Sequence, residues 1–388
     1  MKATQPMIEK LTRYRNRAMT SFIVDDFCGA TPEDGMAYRE FSQWMETAGV
    51  KGEISAILGM KRSAEGRALP VDPAYAAEIS RSAGQHLDAF MEVMTHWGIY
   101  DFALDRIRPE GPHECVWLNQ RNRPLDEYLD YFGNIAKRAQ AAGFKFSGLT
   151  QPGCACQQCL SFFYGSHLTW EANELNPMVS RALIELAREG QLAGPVIGMF
   201  IGWCETGPTD TYMVMEEGQY AVYDLPPGIK DDFFARESGD SAPPNIDPLI
   251  TADGCGGRLP EMLALGTQTM LYFSHWHNVG PQNPLGFQAF QQVAARLQDT
   301  CAERIVWMRP SEIAGYRHTE RHTQVWPEPG GFRLSIPFAP LHALSFRLPG
   351  TVDAKLISPS GTEILPSAVS NSDALYELWP ENGQYRIV

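Results

Sequence analysis

No apolar run in this chain reaches the roughly 18 residues that a membrane-spanning helix needs, so nothing in it reads as a transmembrane segment. Basic residues are outnumbered: 32 Lys and Arg against 46 Asp and Glu give a net charge of −14. That balance argues against nucleic acid and anionic membrane as partners, and leaves a neutral or cationic sugar open. Eight cysteines among 388 residues make no disulfide framework. Cys28, Cys115, Cys204, Cys255 and Cys301 are scattered and read as small buried residues. The first 20 residues are polar and basic (Lys10, Arg13, Arg15, Arg17), without the apolar stretch of a signal peptide. The cytoplasm is therefore the default compartment, although an export signal trimmed from the sequence is compatible with it. Internal repeats and low-complexity tracts are absent, and a homo-oligomer stays open.

What is present is a globular composition, 44% hydrophobic and 20% charged, with strands and helices in alternation. A short apolar run, Met19 to Val24, stops abruptly at Asp25 and Asp26, and Gly29, Thr31 and Pro32 supply turn chemistry after it. Amphipathic spacing predicts helices over 34–48, 72–90, 126–142, 176–189, 256–265 and 284–299. Between them lie strand-like runs at 52–59, 91–96, 144–150, 195–201, 220–225, 268–274 and 304–308, with an irregular acidic segment over 230–253. About seven alternations favour a parallel α/β barrel or a doubly wound sheet, and the size suits a barrel. From His322 onward the helical period is gone, and short alternating runs separated by turn residues predict a small all-β unit. We expect domains at 1–318 and 319–388. Packing against the barrel is the simplest role for the second.

Two adjacent carboxylates at a strand end would sit where α/β enzymes keep their chemistry. Like charges this close resist joint ionisation, so one Asp on a metal and the other as general base is a natural division. An Asp pair capping the next helix carries equal weight. His96 closes one predicted strand, and His275 and His277 close another. At spacing i, i+2, these two imidazoles would face one side if the strand continued. Imidazole with carboxylate suits zinc and similar divalent ions. Cys154, Cys156 and Cys159 could hold a second metal with His167, or form a C-x-x-C redox pair, or be packed free thiols. Trp97, Tyr100, Trp203 and Trp276 flank these motifs and could stack on sugar faces. The run 317–322 carries metal-ligand types but reads most simply as a solvated linker.

V-D-D-F-C-G at 24–29 resembles the T-F-D-D-G motif of the polysaccharide deacetylases, carbohydrate esterase family 4. M-T-H-W-G-I-Y-D at 94–101 is similar to the start of that family's histidine motif, and L-T-Q-P-G at 149–153 falls where it has an Arg-Pro-Pro-x-Gly-like loop. Y-F-S-H-W-H at 272–277 resembles its late histidine motif, and V-W-M-R-P-S-E-I at 306–313 its closing strand and helix. The resemblance implies a distorted (β/α)7-type barrel, followed here by a sandwich-like all-β domain, and metal-assisted removal of an acyl group from an amino sugar. It implies Asp25 as general base, Asp26 and His96 as metal ligands, and His275 or His277 as general acid. The family's second histidine, four residues on, is replaced by Tyr100, and its base-holding Arg by Gln151. Accordingly Asp25 and His275 are expected in catalysis, Asp26, His96 and His277 on a divalent metal, most readily zinc, and Asp101 and Gln151 at the substrate. Asp101, His275 and His277 compete for the last ligand position. Two other readings stay open: a metal-independent amidase or glycosidase using an acid such as Glu205, and a sugar-binding protein with a degenerate site.

Overall fold

The computed structural model describes residues 8–150, 176–200, 209–228 and 242–388, apart from 109, 111–113, 119, 121–122, 351 and 371. Gln151, the Cys154–Cys156–Cys159 cluster, His167, Trp203 and Glu205 lie outside the described residues.

The architecture is a curled, barrel-like α/β sheet followed by an all-β unit. Among the described residues the main sheet has nine strands. In chain order they are β1 (Ala18–Phe27), β2 (Gly52–Ala56), β3 (Leu87–Met91), β4 (Gly148–Thr150), β5 (Val196–Phe200), β6 (Tyr212–Glu217), β7 (Tyr220–Asp224), β8 (Thr269–His275) and β9 (Ile305–Trp307). All pair in parallel except β6, which forms an antiparallel hairpin with β7. The spatial order is β8-β1-β2-β3-β4-β5-β7-β6, with the short β9 on the first residues of β1. Among the described residues no ladder joins β7 or β6 back to β8. The gap is bridged by the segments flanking the hairpin: Gln268 N and Thr269 N donate to the Thr209 carbonyl (3.0 and 3.2 Å), and Gly228 N to that of Leu271 (2.8 Å). No helix among the described residues is long and apolar enough to cross a membrane.

Alternation along β1 divides its side chains between two cores. Phe22, Val24 and Phe27 face outward onto Tyr38, Phe41 and Met45 of helix Pro32–Ala48 and onto Phe287 and Phe290 of helix Pro284–Cys301. Each large apolar side chain buried this fully stabilises the fold by roughly 1.5–3 kcal/mol. The first of these helices starts on a capping box, in which Thr31 Oγ1 accepts from Asp34 N and Asp34 Oδ2 from Thr31 N, and it stops at Gly49 with φ 65°. The Asp25–Asp26 pair therefore has no capping role there. Met19 and Ile23 point inward, where they join Phe90, Leu225, Leu271 and Met308 in a core that continues into the all-β unit.

That unit is a sandwich of two antiparallel sheets, four- and five-stranded among the described residues. Strand Glu9–Lys10, from the start of the chain, pairs with Leu344–Leu348 in the first sheet. Phe332, Phe346, Tyr376 and Tyr385 fill the space between the layers. Helix Pro310–His322 connects barrel and sandwich, and the boundary expected after residue 318 lies inside it. Its Ala314 packs on Val196 and Ala221, at the starts of β5 and β7, so the sandwich covers the end of the barrel where the parallel strands begin. Asp88 pins the same end. Its carboxylate accepts from Arg309 Nη1 (2.8 Å), Ser311 N (2.7 Å) and Ser311 Oγ (2.9 Å). The opposite end, where the strands finish, is free for chemistry.

Several expectations are corrected. The helix predicted over 72–90 ends at Ser82, and Leu87 and Phe90 belong to β3, because Gly84 (φ 81°) turns the chain after Ala83 has made the last helical bond. His96 consequently lies in a loop beyond β3. Strand β6 has no counterpart in the sequence reading. The run 317–322 is helix rather than linker, with His318 fully buried. Cys28 and Cys301 are buried as expected, but Cys255 is exposed.

Candidate functional site

Four of the residues singled out by sequence come together where the strands end. Asp25 and Asp26 are near the end of β1, and His275, the last residue of β8, pairs in register with Asp25. His96 reaches the same place from the loop after β3. Its Nε2 is 3.6 Å from Asp26 Oδ1, and His275 Nε2 is 3.7 Å from Asp26 Oδ2. Asp26 and His96 both have φ of 63°, a left-handed conformation unusual outside glycine. Such backbone strain persists only where its surroundings over-determine it.

A fifth residue completes the cluster. Glu92, 0% exposed, follows β3 directly. Its Oε2 accepts from Asp26 N (3.3 Å), and its Oε1 lies 3.4 Å from His96 Nδ1. Burial, reinforced by the charges of Asp25 and Asp26 and by a hydrogen bond with Asp25, holds the Glu92 carboxyl well above the usual range. Burial and then Asp25 also raise Asp26, while His96, His275 and His277 pull it down. Ligand atoms of Asp26, Glu92 and His96 all lie within 4.8 Å of one another. Asp26 Oδ1 and Glu92 Oε1 are buried and accept no hydrogen bond among the described residues. Two such oxygens beside an imidazole are a donor set for a divalent ion, and the charge of that ion would offset the crowding of carboxylates.

The loop carrying His96 is held by Glu114. This buried carboxylate accepts from the backbone N–H groups of Met94 (3.2 Å), Thr95 (2.9 Å) and His96 (2.6 Å), from Thr95 Oγ1 (3.0 Å) and from the Tyr131 hydroxyl. Burial raises its pKa against the lowering effect of these donors.

The remaining expected residues are placed differently. β8 ends at His275 and a short helix, Trp276–Val279, breaks the alternation, so His277 is exposed at the rim with its ring 5.3 Å from that of His275. Asp101 sits in a tight turn, accepting from Ala103 N and Leu104 N (3.0 Å each), with Arg108 Nε at 3.4 Å. Trp276 and Tyr100 are buried, whereas Trp97, 47% exposed and beside His96, can stack on a ligand. Glu92 and Glu114 were missed by sequence. The available signal was an acid inside the apolar run Phe90-Met91-Glu92-Val93-Met94, since a lone buried carboxyl needs a partner.

Deeper in the barrel Glu53 is also 0% exposed, accepting among the described residues only from Ser55 Oγ (3.2–3.3 Å). Burial, then Asp25, raises its pKa well above the usual range. Between the unfolded value, about 4.3, and the higher folded one, the folded chain holds a proton that the unfolded chain has lost. Stability therefore falls as pH rises through that window. Glu53→Gln is expected to remove this slope and raise stability at pH 7 by on the order of 1–3 kcal/mol. Chemical denaturation at pH 5 and pH 7 measures it, and an unchanged slope refutes it.

No protein-family model matches the chain, and no curated protein does. Among solved structures, a protein of Enterococcus faecalis V583 provisionally assigned to cellobiose-phosphate cleavage is similar over 76% of this chain and 99% of its own, at 10% identity and TM-score 0.41. A peptidoglycan N-acetylglucosamine deacetylase is similar over 76% of this chain and 87% of its own, at 13% identity and TM-score 0.34. The catalytic domain of a GH30 xylanase C from Talaromyces cellulolyticus is similar over 98% and 99%, at 10% identity and TM-score 0.30. These likenesses are too distant to carry an activity to this chain.

Proposed function

We propose that the chain is a divalent-metal-dependent hydrolase that removes an acyl group, such as acetyl, from an amino sugar. The observation that carries this reading is the clustering of Asp26, Glu92 and His96 within 4.8 Å, with Asp25 and His275 beside them. Asp26, Glu92 and His96 would hold the ion, most readily zinc, with Glu92 bound as its carboxylate. Glu92 and His96 stand at i, i+4, the separation of the two histidines in the deacetylase motif that the sequence resembles. The sequence reading looked for the missing ligand after His96, whereas Glu92 precedes it. When bound, such an ion polarises an acyl carbonyl and acidifies water. Asp25 would take the proton of the attacking water, and His275 would protonate the amine as the C–N bond breaks. Trp97 would offer a face to the sugar ring.

The raised pKa of the buried Glu92 carboxyl beside Asp25 favours one other reading, a metal-free amidase or glycosidase with Glu92 as acid. Metal analysis separates the two. His96→Ala is expected to contain about one equivalent less zinc or similar ion than wild type and to release no acetate from N-acetylglucosamine oligomers. Turnover that survives thorough chelation in the wild type would rule out the metal-dependent mechanism.

A further inference from the structure

At the other end of the barrel, three side chains that the proposed reaction does not use meet between the β6–β7 hairpin and helix Pro310–His322. His318 and His322, at i, i+4, project from one face of that helix, and Glu216 faces them from β6. Their ligand atoms lie within 4.8 Å of one another. We propose that Glu216, His318 and His322 form a second divalent-metal site, for zinc or a similar ion, which ties the hairpin to the helix joining barrel and sandwich.

The details of the site match what a bound ion requires. His318 is 0% exposed, yet among the described residues its Nε2 makes no hydrogen bond. The Nδ1 of the same ring lies 3.4 Å from the Tyr223 hydroxyl, and the Gln219 backbone lies near the ring as well. With Nδ1 as the donor, the lone pair is on Nε2, as in metal-bound histidines whose second nitrogen is held by an outer partner. The ring is stacked on Phe338 at 4.7 Å and 11°, which fixes its plane. His322 Nε2 is 2.8 Å from Glu216 Oε1 without being aligned to it as a hydrogen bond. Two acceptors can approach this closely when a cation lies between them. Arg321 Nε is 3.6 Å from the other carboxylate oxygen, Oε2, so Oε1 is left for the ion.

Two imidazoles and a carboxylate are an established zinc donor set that leaves a fourth position for water. Access exists as well, because Glu216 and His322 line an open groove with Tyr220, Pro337 and Phe338. The alternative is a simple His322–Glu216 ion pair over a packed His318, and it binds no metal.

The test uses the full chain carrying His96→Ala, or Asp26→Asn, to silence the first cluster. Freed of metal and titrated with cobalt(II), this chain is expected to take up one equivalent. The near-ultraviolet spectrum should lack the sulfur-to-metal charge-transfer band that Cys154, Cys156 and Cys159 would produce, and the thermal midpoint should rise on binding. Adding His322→Gln or the milder Glu216→Gln should weaken uptake at least tenfold, while Glu216→Gln alone leaves acetate release unchanged. The proposal is overturned by no uptake in the His96→Ala chain, by uptake that neither added substitution weakens, or by a thiolate band.

Discussion

Glu114→Ala is expected to lower the folding free energy by more than about 3 kcal/mol and to abolish the metal binding proposed for the Asp26–Glu92–His96 cluster. The substitution strands the backbone donors of Met94, Thr95 and His96 and the hydroxyl of Tyr131, while the Thr95 hydroxyl keeps the Gly98 carbonyl at 2.8 Å. A buried donor left without its acceptor costs about 1–3 kcal/mol, and no water-filled surface lies next to a side chain that is 0% exposed. The loop also loses what holds His96 at positive φ, so its imidazole leaves the cluster. Glu114→Gln is the sharper probe. The amide keeps the size and one acceptor oxygen, but it turns an N–H₂ toward donors. We expect it to fold with reduced stability and to bind metal at least tenfold more weakly. Denaturant titration and metal analysis of both variants check this. An alanine variant that unfolds with the wild type, or a glutamine variant with undiminished metal, would show that the loop does not depend on Glu114.

How far the sequence could be read followed from the range of the interactions involved. The Pro32–Ala48 helix was legible because its cap, its proline and its terminating glycine are local. The sandwich was legible from the change of period after His322. Asp25, Asp26 and His275 could be placed because a parallel strand delivers its last residues to one end of the sheet. Glu92 and Glu114 could not be placed in this way. Each acts by folding back on a loop, and its partners are chosen by tertiary packing rather than by periodicity. The i, i+4 spacing of Glu92 and His96 was present in the sequence, but the false helix over 72–90 displaced β3 and made His96 a strand end. His277 failed for a related reason, since the helical turn at Trp276 ends the alternation on which its placement relied. At 318–322 the histidine spacing was visible, but the partner Glu216 lies on a strand that the sequence did not suggest.

Asp25→Asn and Asp26→Asn should separate two roles that adjacent residues of one type would otherwise blur. If Asp25 accepts the proton of water and Asp26 holds the ion, Asp25→Asn is expected to lower kcat by about 10²–10⁴-fold while metal content and KM stay near wild type. The Asp26→Asn variant should lose both turnover and metal from that cluster. The neighbouring acid reports on the same change. Asp25 is, after burial, the largest influence holding the Glu92 carboxyl up. Neutralising it lets the Glu92 pKa fall, which makes this ligand easier to ionise. Metal affinity in Asp25→Asn should therefore be retained or increased, an outcome that simple damage to the site would not give. A metal-free acid–base hydrolase predicts another pattern, with both variants inactive and neither altered in metal content. Acetate release and metal analysis on the two variants distinguish the cases, and loss of metal in Asp25→Asn would overturn the division of labour between the two carboxylates.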